Sequence, residues 1–249
     1  MLGYCIGATL LSISAAALGR DGRDWIKTIT LFAAQTDFSE AGELMAFIDR
    51  SQVSYPEDMM WEKGYLDTKQ MAGTFQLSHS NDLIWSRMVN DNLKGERRAM
   101  NDLMAWNTDA TRMPYRMHAQ YLRHLFLDND FAGGRYEVGG KPVAIFDIHA
   151  PIFMVGAERD HVAPWKSLYK INFLAKADVT FLLTSGGHNA GIISEPGQPN
   201  RHYRVHIKHE KAPYVAPDDW VEANPPSMGK ARGKYKPIMD ALGSYVLQK

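Results

Sequence analysis

The stretch that decides the fold lies at the start of the chain and reads Gly3-Tyr4-Cys5-Ile6-Gly7. A run of small and apolar residues, 8–18, follows it directly. A nucleophile with a glycine two residues before it and another two residues after it is typical of the nucleophile elbow, a sharp turn from strand to helix. The pattern predicts a strained backbone at Cys5, with both glycines leaving room for the strand and the helix to cross closely.

The start of the following helix gives Cys5 its predicted chemistry. The partial positive charge at a helix N-terminus favours the thiolate over the thiol. The first N–H groups of a helix lack intrahelical acceptors, so the N–H of Ile6 is predicted to donate to an oxyanion. A lone cysteine is more commonly a small buried apolar residue, and a five-residue pattern recurs by chance. The assignment therefore depends on the rest of the chain.

The composition is that of a globular protein with an ordinary core, since 45% of the 249 residues are hydrophobic and 22% are charged. Basic and acidic residues both number 28, so the zero net charge gives no indication of nucleic acid as a partner. The single cysteine cannot form an internal disulfide. No basic residue precedes the apolar run 10–18, as a secretory signal would require, and a cytoplasmic location is predicted.

Downstream of the elbow, strand-like and helical segments alternate. Apolar runs at 25–34, 151–156 and 178–184 predict buried strands. Over 36–113, methionine and aromatic residues recur at helical spacing, with a chain break predicted around Pro56. This order predicts the α/β class, with a mostly parallel sheet and a helical cap inserted between strands over an active site.

Two further candidates follow the later strands. Asp160 lies in the loop after 151–156, and His188 lies in the glycine-rich loop after 178–184. Ligands bind at the carboxyl ends of parallel strands, so Cys5, Asp160 and His188 are predicted to meet at one edge of the sheet. The chain order nucleophile, acid, histidine is that of the α/β-hydrolase arrangement. Each residue alone is more commonly structural, but the three together predict a catalytic site.

Each member of this predicted site has its own part in acyl transfer. His188 accepts the thiol proton of Cys5, which leaves a thiolate–imidazolium pair. Asp160 orients the imidazole and stabilises its charge. A thiolate suits thioester substrates because thiol–thioester exchange is nearly balanced in free energy. The resulting acyl enzyme can then transfer its acyl group to an alcohol or to water.

With these residues in view, the chain resembles the poly(3-hydroxyalkanoate) synthases from residue 1 to about residue 225. Four groups carry the resemblance besides the elbow with its Ala8-Thr9 extension, and general hydrolases lack them together. They are Asn81-Asp82-Leu83-Ile84-Trp85, Trp106-Asn107-Thr108-Asp109-Ala110-Thr111, Glu158-Arg159-Asp160-His161-Val162-Ala163-Pro164-Trp165 and Ser185-Gly186-Gly187-His188-Asn189-Ala190-Gly191.

The resemblance implies a reaction and a set of roles. Members of this family polymerise (R)-3-hydroxyacyl-CoA into polyhydroxyalkanoate and release CoA. By the resemblance, Cys5 carries the growing chain, His188 is the base, Asp160 is the third member and His161 supports the site. It also implies no metal and no cofactor, a homodimer or a second subunit, and action at the surface of cytoplasmic polyester granules.

Three departures from the family pattern bear on these expectations. The chain begins almost at the nucleophile, so 1–249 is expected to be a single partial α/β-hydrolase catalytic domain with its first strands missing. The loop that supplies a second oxyanion donor is expected to be missing too, which costs about 10²–10³-fold in rate. Ala8 stands where the family usually has glycine, and the stretch 229–235 replaces the usual Gly-Ser-Trp-Trp.

Two other functions stay open from the sequence. A Cys-His-Asp hydrolase, acting on thioesters or lactones, would use the same three residues with water as the acceptor. The group at 81–85 within the cap argues against it. An inactive fragment is the second alternative, and the short stretch before Cys5 argues for it.

Overall fold

The computed structural model describes residues 1–68, 89–95, 102, 105–106, 111–193 and 200–228. The chain divides into two units, the first combining Met1–Gly42 with His124–Lys249 and the second comprising Glu43–Arg123. The motif group 81–85, the stretch 229–235 and most of the group 106–111 lie outside the described residues. That residues 36–113 cover an active site stays a prediction.

The described residues form strands and helices in the following order. The strands are β1 (Leu2–Tyr4), β2 (Ile29–Phe32), β3 (Tyr65–Leu66), β4 (Met113–Pro114), β5 (Tyr136–Val138), β6 (Lys141–Val143), β7 (Ile152–Ala157), β8 (Val179–Thr184), β9 (His202–Lys208) and β10 (Ser227–Met228). The α-helices are α1 (Ile6–Arg20), α2 (Arg50–Lys63), α3 (Tyr115–Gln120), α4 (Trp165–Tyr169), α5 (Ile171–Leu174) and α6 (Pro217–Ala223). Short 3₁₀ and π segments lie at Glu43–Phe47, Val89–Leu93, Tyr121–Leu127 and Ile145–Asp147.

The first unit is built on a six-stranded sheet in the order β1-β2-β7-β8-β9-β10. Within this sheet β1, β2, β7 and β8 are parallel, and β9 and β10 are antiparallel to their neighbours. Every residue of β7 is buried, as expected for a central strand of a parallel sheet that is covered on both faces. The structure therefore confirms an α/β fold with a mostly parallel sheet.

The strand that leads into Cys5 is short, but each of its residues pairs with β2. Its three residues are in parallel register with Thr30, Leu31 and Phe32 of β2. The backbone adds one further bond, because the N–H of Thr30 donates to the carbonyl of Met1 at 2.8 Å. Parallel pairing needs only backbone groups, so three residues are enough to attach the elbow to the sheet.

Helix α1 follows the elbow and packs through small side chains. Ala8 and Ala16 are completely buried. At its C-terminal end, a Cβ added to Gly19 would lie 1.9 Å from the carbonyl oxygen of Asp147. Small residues along this helix therefore let it approach neighbouring backbone more closely than larger side chains would allow.

The second unit contains α2, which runs through the predicted chain break at Pro56. The side chain of Asp49 accepts the N–H of Gln52 at 2.8 Å and caps the first turn. Gly64 ends the helix in the left-handed conformation, with φ of 76°. The prediction of a break was wrong because Pro56 removes one N–H donor but the turns on either side keep theirs.

Arg123 and Glu57 form a paired interaction within this unit. The guanidinium Nε and Nη2 lie 2.6 and 2.5 Å from the two carboxylate oxygens. The hydrogen bond from Arg123 lowers the pKa of Glu57.

In the part of the chain that the structure describes, no helix is both long and apolar enough to cross a membrane.

Candidate active site

Cys5 lies at the turn between β1 and α1 in an unusual backbone conformation. Its φ of 51° and ψ of −125° are rarely adopted by residues other than glycine. The turn is fixed on both sides, because the Cys5 N–H donates to the Phe32 carbonyl at 2.8 Å and the Cys5 carbonyl accepts the Ala8 N–H at 2.9 Å. The side chain is partly exposed and the thiol is free. This is the strained elbow that the sequence pattern predicts.

The two glycines of the elbow have different roles. A Cβ added to Gly3 would lie 2.5 Å from Cα of Ala8, so the strand and helix cross too closely here for any side chain. Gly7 is exposed, and no described atom lies within 4 Å of a Cβ added there. The expectation that both glycines make room was therefore wrong for Gly7, because its α-carbon faces away from the crossing.

Asp160 lies in the loop after β7, and its carboxylate is fully buried. One oxygen, Oδ1, accepts the backbone N–H groups of Val162 at 2.9 Å and Ala163 at 2.8 Å. The other oxygen, Oδ2, lies 2.8 Å from Nδ1 of His188. Two fixed N–H donors hold the carboxylate in one orientation, and its second oxygen is directed at the imidazole.

His188 lies in the histidine loop (residues 185–191), which follows β8, and only 13% of its side chain is exposed. Burial by itself lowers the pKa of the imidazole, but hydrogen bonds with Asp160 and with Cys5, together with their negative charges, raise it to about 10. His188 thus interacts with Asp160 through a hydrogen bond and with Cys5 electrostatically, and the three residues form one series. A protonated imidazole between a thiol and a carboxylate favours the thiolate, which is the reactive form of cysteine.

Tyr4, which the sequence analysis did not single out, contacts the same series. Its hydroxyl lies 2.6 Å from the His188 carbonyl oxygen and 3.1 Å from Oδ1 of Asn189. Its ring meets the His188 imidazole edge to face, with the ring centroids 5.7 Å apart. The elbow pattern treats the position before the nucleophile as variable, so the sequence carried no signal for it.

Arg201 holds the histidine loop from its other side. The guanidinium donates to the carbonyl of Ser185 at 2.8 Å and to the carbonyl of Ala190 at 3.0 Å. These two carbonyls lie at opposite ends of the loop, which bends at Gly186 with φ of 114°. One side chain therefore closes the loop that carries His188.

For Ile6 and His161, the two supporting residues predicted from sequence, the structure gives a position near the site. Ile6 is the first residue of α1, so its N–H has no acceptor within the helix. His161 is exposed and follows Asp160 directly. Its carbonyl oxygen lies 2.7 Å from the position of a Cβ added to Gly42. The contribution of either residue to an oxyanion site stays a prediction.

Metal-ligating side chains converge at a different place in the described chain. Atoms of His124, Asp128 and Asp130 lie within 4.8 Å of one another. The Asp130 carboxylate is already 2.9 Å from Nε of Arg135 and 2.9 Å from Nδ1 of His124. None of these residues belongs to the series formed by Cys5, His188 and Asp160.

Several polymerases are similar in sequence to this chain. The chain is 37% identical over 202 residues to the poly(3-hydroxyalkanoate) polymerase subunit PhaC of Rhizobium meliloti, covering 81% of this chain and 33% of that protein. It is 38% identical over 195 residues to the poly(3-hydroxyalkanoate) polymerase of Methylorubrum extorquens, covering 78% of this chain and 32% of that protein. It is 32% identical over 227 residues to the poly(3-hydroxyalkanoate) polymerase subunit PhaC of Cupriavidus necator, covering 89% of this chain and 38% of that protein.

No protein-family model matches the chain. Among solved structures it is similar to the monoacylglycerol lipase of Paleococcus ferrophilus, with a TM-score of 0.40 and 11% identity, over 76% of this chain and 59% of that one. The chain spans about a third of the length of the curated relatives it matches. Over that shared segment, the similarity supports membership of the poly(3-hydroxyalkanoate) polymerase family.

Proposed function

We propose that this chain catalyses acyl transfer from an (R)-3-hydroxyacyl-CoA thioester to the hydroxyl end of a growing polyester, with Cys5 as the nucleophile. The observation that carries the proposal is the series of Cys5 in a strained turn, His188 that interacts with it, and Asp160 hydrogen-bonded to His188 at 2.8 Å. Each residue follows a parallel strand of one sheet, where substrates of such folds bind. The similarity to poly(3-hydroxyalkanoate) polymerases supports the choice of substrate.

In the first half-reaction the thiolate of Cys5 attacks the carbonyl carbon of the thioester. A bond forms between that carbon and Sγ, and the carbonyl π electrons move to the oxygen. The N–H of Ile6 at the start of α1 is our proposed donor to this oxyanion. When the intermediate collapses, its bond to the CoA sulfur breaks, and His188 gives its proton to the departing sulfur.

In the second half-reaction the neutral imidazole works as a base. His188 accepts the proton of the hydroxyl group of a second 3-hydroxyacyl chain, and that oxygen attacks the Cys5 thioester. An ester bond forms and the bond to Sγ breaks, which regenerates the thiolate and the imidazolium. The two half-reactions together balance without a redox step. Asp160 stabilises the imidazolium that is present before the first half-reaction and after the second.

The proposal extends to the setting of the reaction. We infer that the chain acts at the surface of cytoplasmic polyester granules, as a homodimer or with a second subunit, and needs no cofactor beyond its acyl-CoA substrate. The polymerase subunits among its relatives support a partnership with other chains. Sedimentation of the chain with and without polyester granules would measure both the oligomeric state and the granule binding.

The test of the proposed function is to incubate the chain with (R)-3-hydroxybutyryl-CoA and follow both CoA release and product size. We expect CoA release with ester-linked oligomers from the wild type and loss of both in Cys5→Ala. Ser14→Ala, an exposed change in the helix that follows Cys5, is the matched control and retains activity. Free 3-hydroxybutyrate as the sole product would instead establish the hydrolase, and absence of turnover would overturn the proposal.

A further inference from the structure

We propose that Tyr4 is a positioning residue for the imidazole: its hydroxyl holds the histidine loop so that His188 faces the thiol of Cys5. This inference rests on the proposed function, since it explains how the nucleophile and its base are held together. It assigns a role to the residue that occupies the variable position of the elbow.

Direct contacts support this role. The Tyr4 hydroxyl donates to the carbonyl oxygen of His188 at 2.6 Å, which is short for an O–H···O bond. Oδ1 of Asn189, the next residue of the loop, lies 3.1 Å from the same hydroxyl. The tyrosine ring also packs edge to face on the imidazole. One side chain therefore contacts both the backbone and the ring of His188.

The position of the imidazole depends on its backbone as well as on its side-chain contacts. Asp160 contacts the ring at Nδ1, and the ring reaches that contact and the thiol together only when the His188 backbone is correctly placed. Fixing the carbonyl of His188 holds that backbone in place. Tyr4 precedes Cys5 directly, so the anchor and the nucleophile belong to the same short segment.

The hydroxyl is suited to permanent donation. Burial, with the negative charges of Cys5 and Asp160, raises the pKa of Tyr4 far above its ordinary value of about 10. The ionisable side chains that act on it are Cys5 and Asp160, and its ring packs on His188. The phenol therefore keeps its proton over the pH range in which His188 takes up and releases one.

Tyr4→Phe tests the inference because it removes the hydroxyl and keeps the ring. The matched control is Tyr169→Phe, which removes another partly buried hydroxyl that donates to a backbone carbonyl, that of Val215 at 3.1 Å. The readout is the rate of iodoacetamide alkylation from pH 5 to 10.5, measured by mass. Since Cys5 is the single cysteine, every adduct on cysteine, located by peptide mass, reports on the proposed nucleophile, and no acyl-CoA is needed.

We expect Tyr4→Phe to slow alkylation at pH 7 by about fivefold to tenfold and to leave the high-pH rate unchanged, since it removes one hydrogen bond to the His188 backbone that positions the imidazolium. His188→Gln shows the pH dependence of alkylation for a Cys5 thiol without its imidazole partner. Tyr169→Phe retains the wild-type pH dependence. The inference is overturned if Tyr4→Phe matches the wild type, if both tyrosine variants shift equally, or if His188→Gln causes no shift. Thermal melting separates these profiles from unfolding, which would raise alkylation at every pH.

The readout also separates this inference from the proposed function. A chain that releases no CoA but shows the Tyr4-dependent profile would refute the acyl-transfer proposal and keep the positioning role. If the wild type forms polyester but Tyr4→Phe has the wild-type alkylation profile, the acyl-transfer proposal is kept and the positioning role is refuted.

Discussion

At the scale of single residues, Cys5 is held in a conformation that costs free energy. A non-glycine residue in this region of backbone space costs roughly 1–3 kcal/mol. Hydrogen bonds from Cys5 to Phe32 and from Ala8 to Cys5 offset part of that cost, and they direct the side chain toward the imidazole. The strain is therefore tied to the position of the thiol.

The two elbow glycines allow a matched test of this strain. Gly3→Ala places a Cβ 2.5 Å from backbone of Ala8 that cannot move independently, and we expect destabilisation by about 1–3 kcal/mol. Gly7→Ala adds its methyl in open space within a helix, and we expect stabilisation by about 0.5–1 kcal/mol. Urea unfolding of both variants measures the difference. Equal effects would show that the close crossing does not depend on Gly3.

At the scale of elements, the loops that follow β7 and β8 determine whether the site exists. The first loop holds Asp160 through two backbone N–H groups that belong to the loop itself. The histidine loop instead depends on side chains from elsewhere, since Tyr4 and Arg201 bind its carbonyls. We therefore expect the histidine loop to be the more sensitive of the two to distant substitutions.

Arg201→Ala tests that dependence. Removing the guanidinium frees the carbonyls of Ser185 and Ala190, and we expect amide exchange within the histidine loop to rise about tenfold. The N–H of Gly191, bonded to the Gly187 carbonyl at 2.9 Å, is the reporter. Arg135→Ala, which removes another guanidinium–carbonyl bond at Asp128, is the control. Unchanged exchange at Gly191 in Arg201→Ala would show that the loop is self-supporting.

Sequence reasoning reached those features of the site that depend on local pattern. The apolar runs predicted β7 and β8, and the loops after them predicted Asp160 and His188, because parallel strands end at a common edge. Tyr4 was missed because its partner lies 184 positions away, and no local pattern encodes such a contact. The helix through Pro56 was missed because its capping at both ends outweighs one lost donor.

At the scale of the whole molecule, the site couples folding to pH. In the folded chain the pKa of His188 is raised from its ordinary value of 6.5 to about 10. Burial lowers this pKa, but the interactions with Asp160 and Cys5 raise it by more. The folded chain thus binds a proton that the unfolded chain releases. This contribution to stability is fully present below pH 6.5 and is lost as the pH rises through about 10.

The window from pH 8.5 to 10 isolates this linkage. Above the ordinary thiol pKa of about 8.5, the unfolded chain has released the protons of both cysteine and histidine. The folded wild type still holds the His188 proton, so its free energy of unfolding is expected to fall by up to about 1.4 kcal/mol per pH unit. His188→Gln lacks this proton, and the slope that it retains comes from all other groups. Parallel pH profiles for the two proteins, measured by urea unfolding, would mean that the imidazole is neutral in the fold.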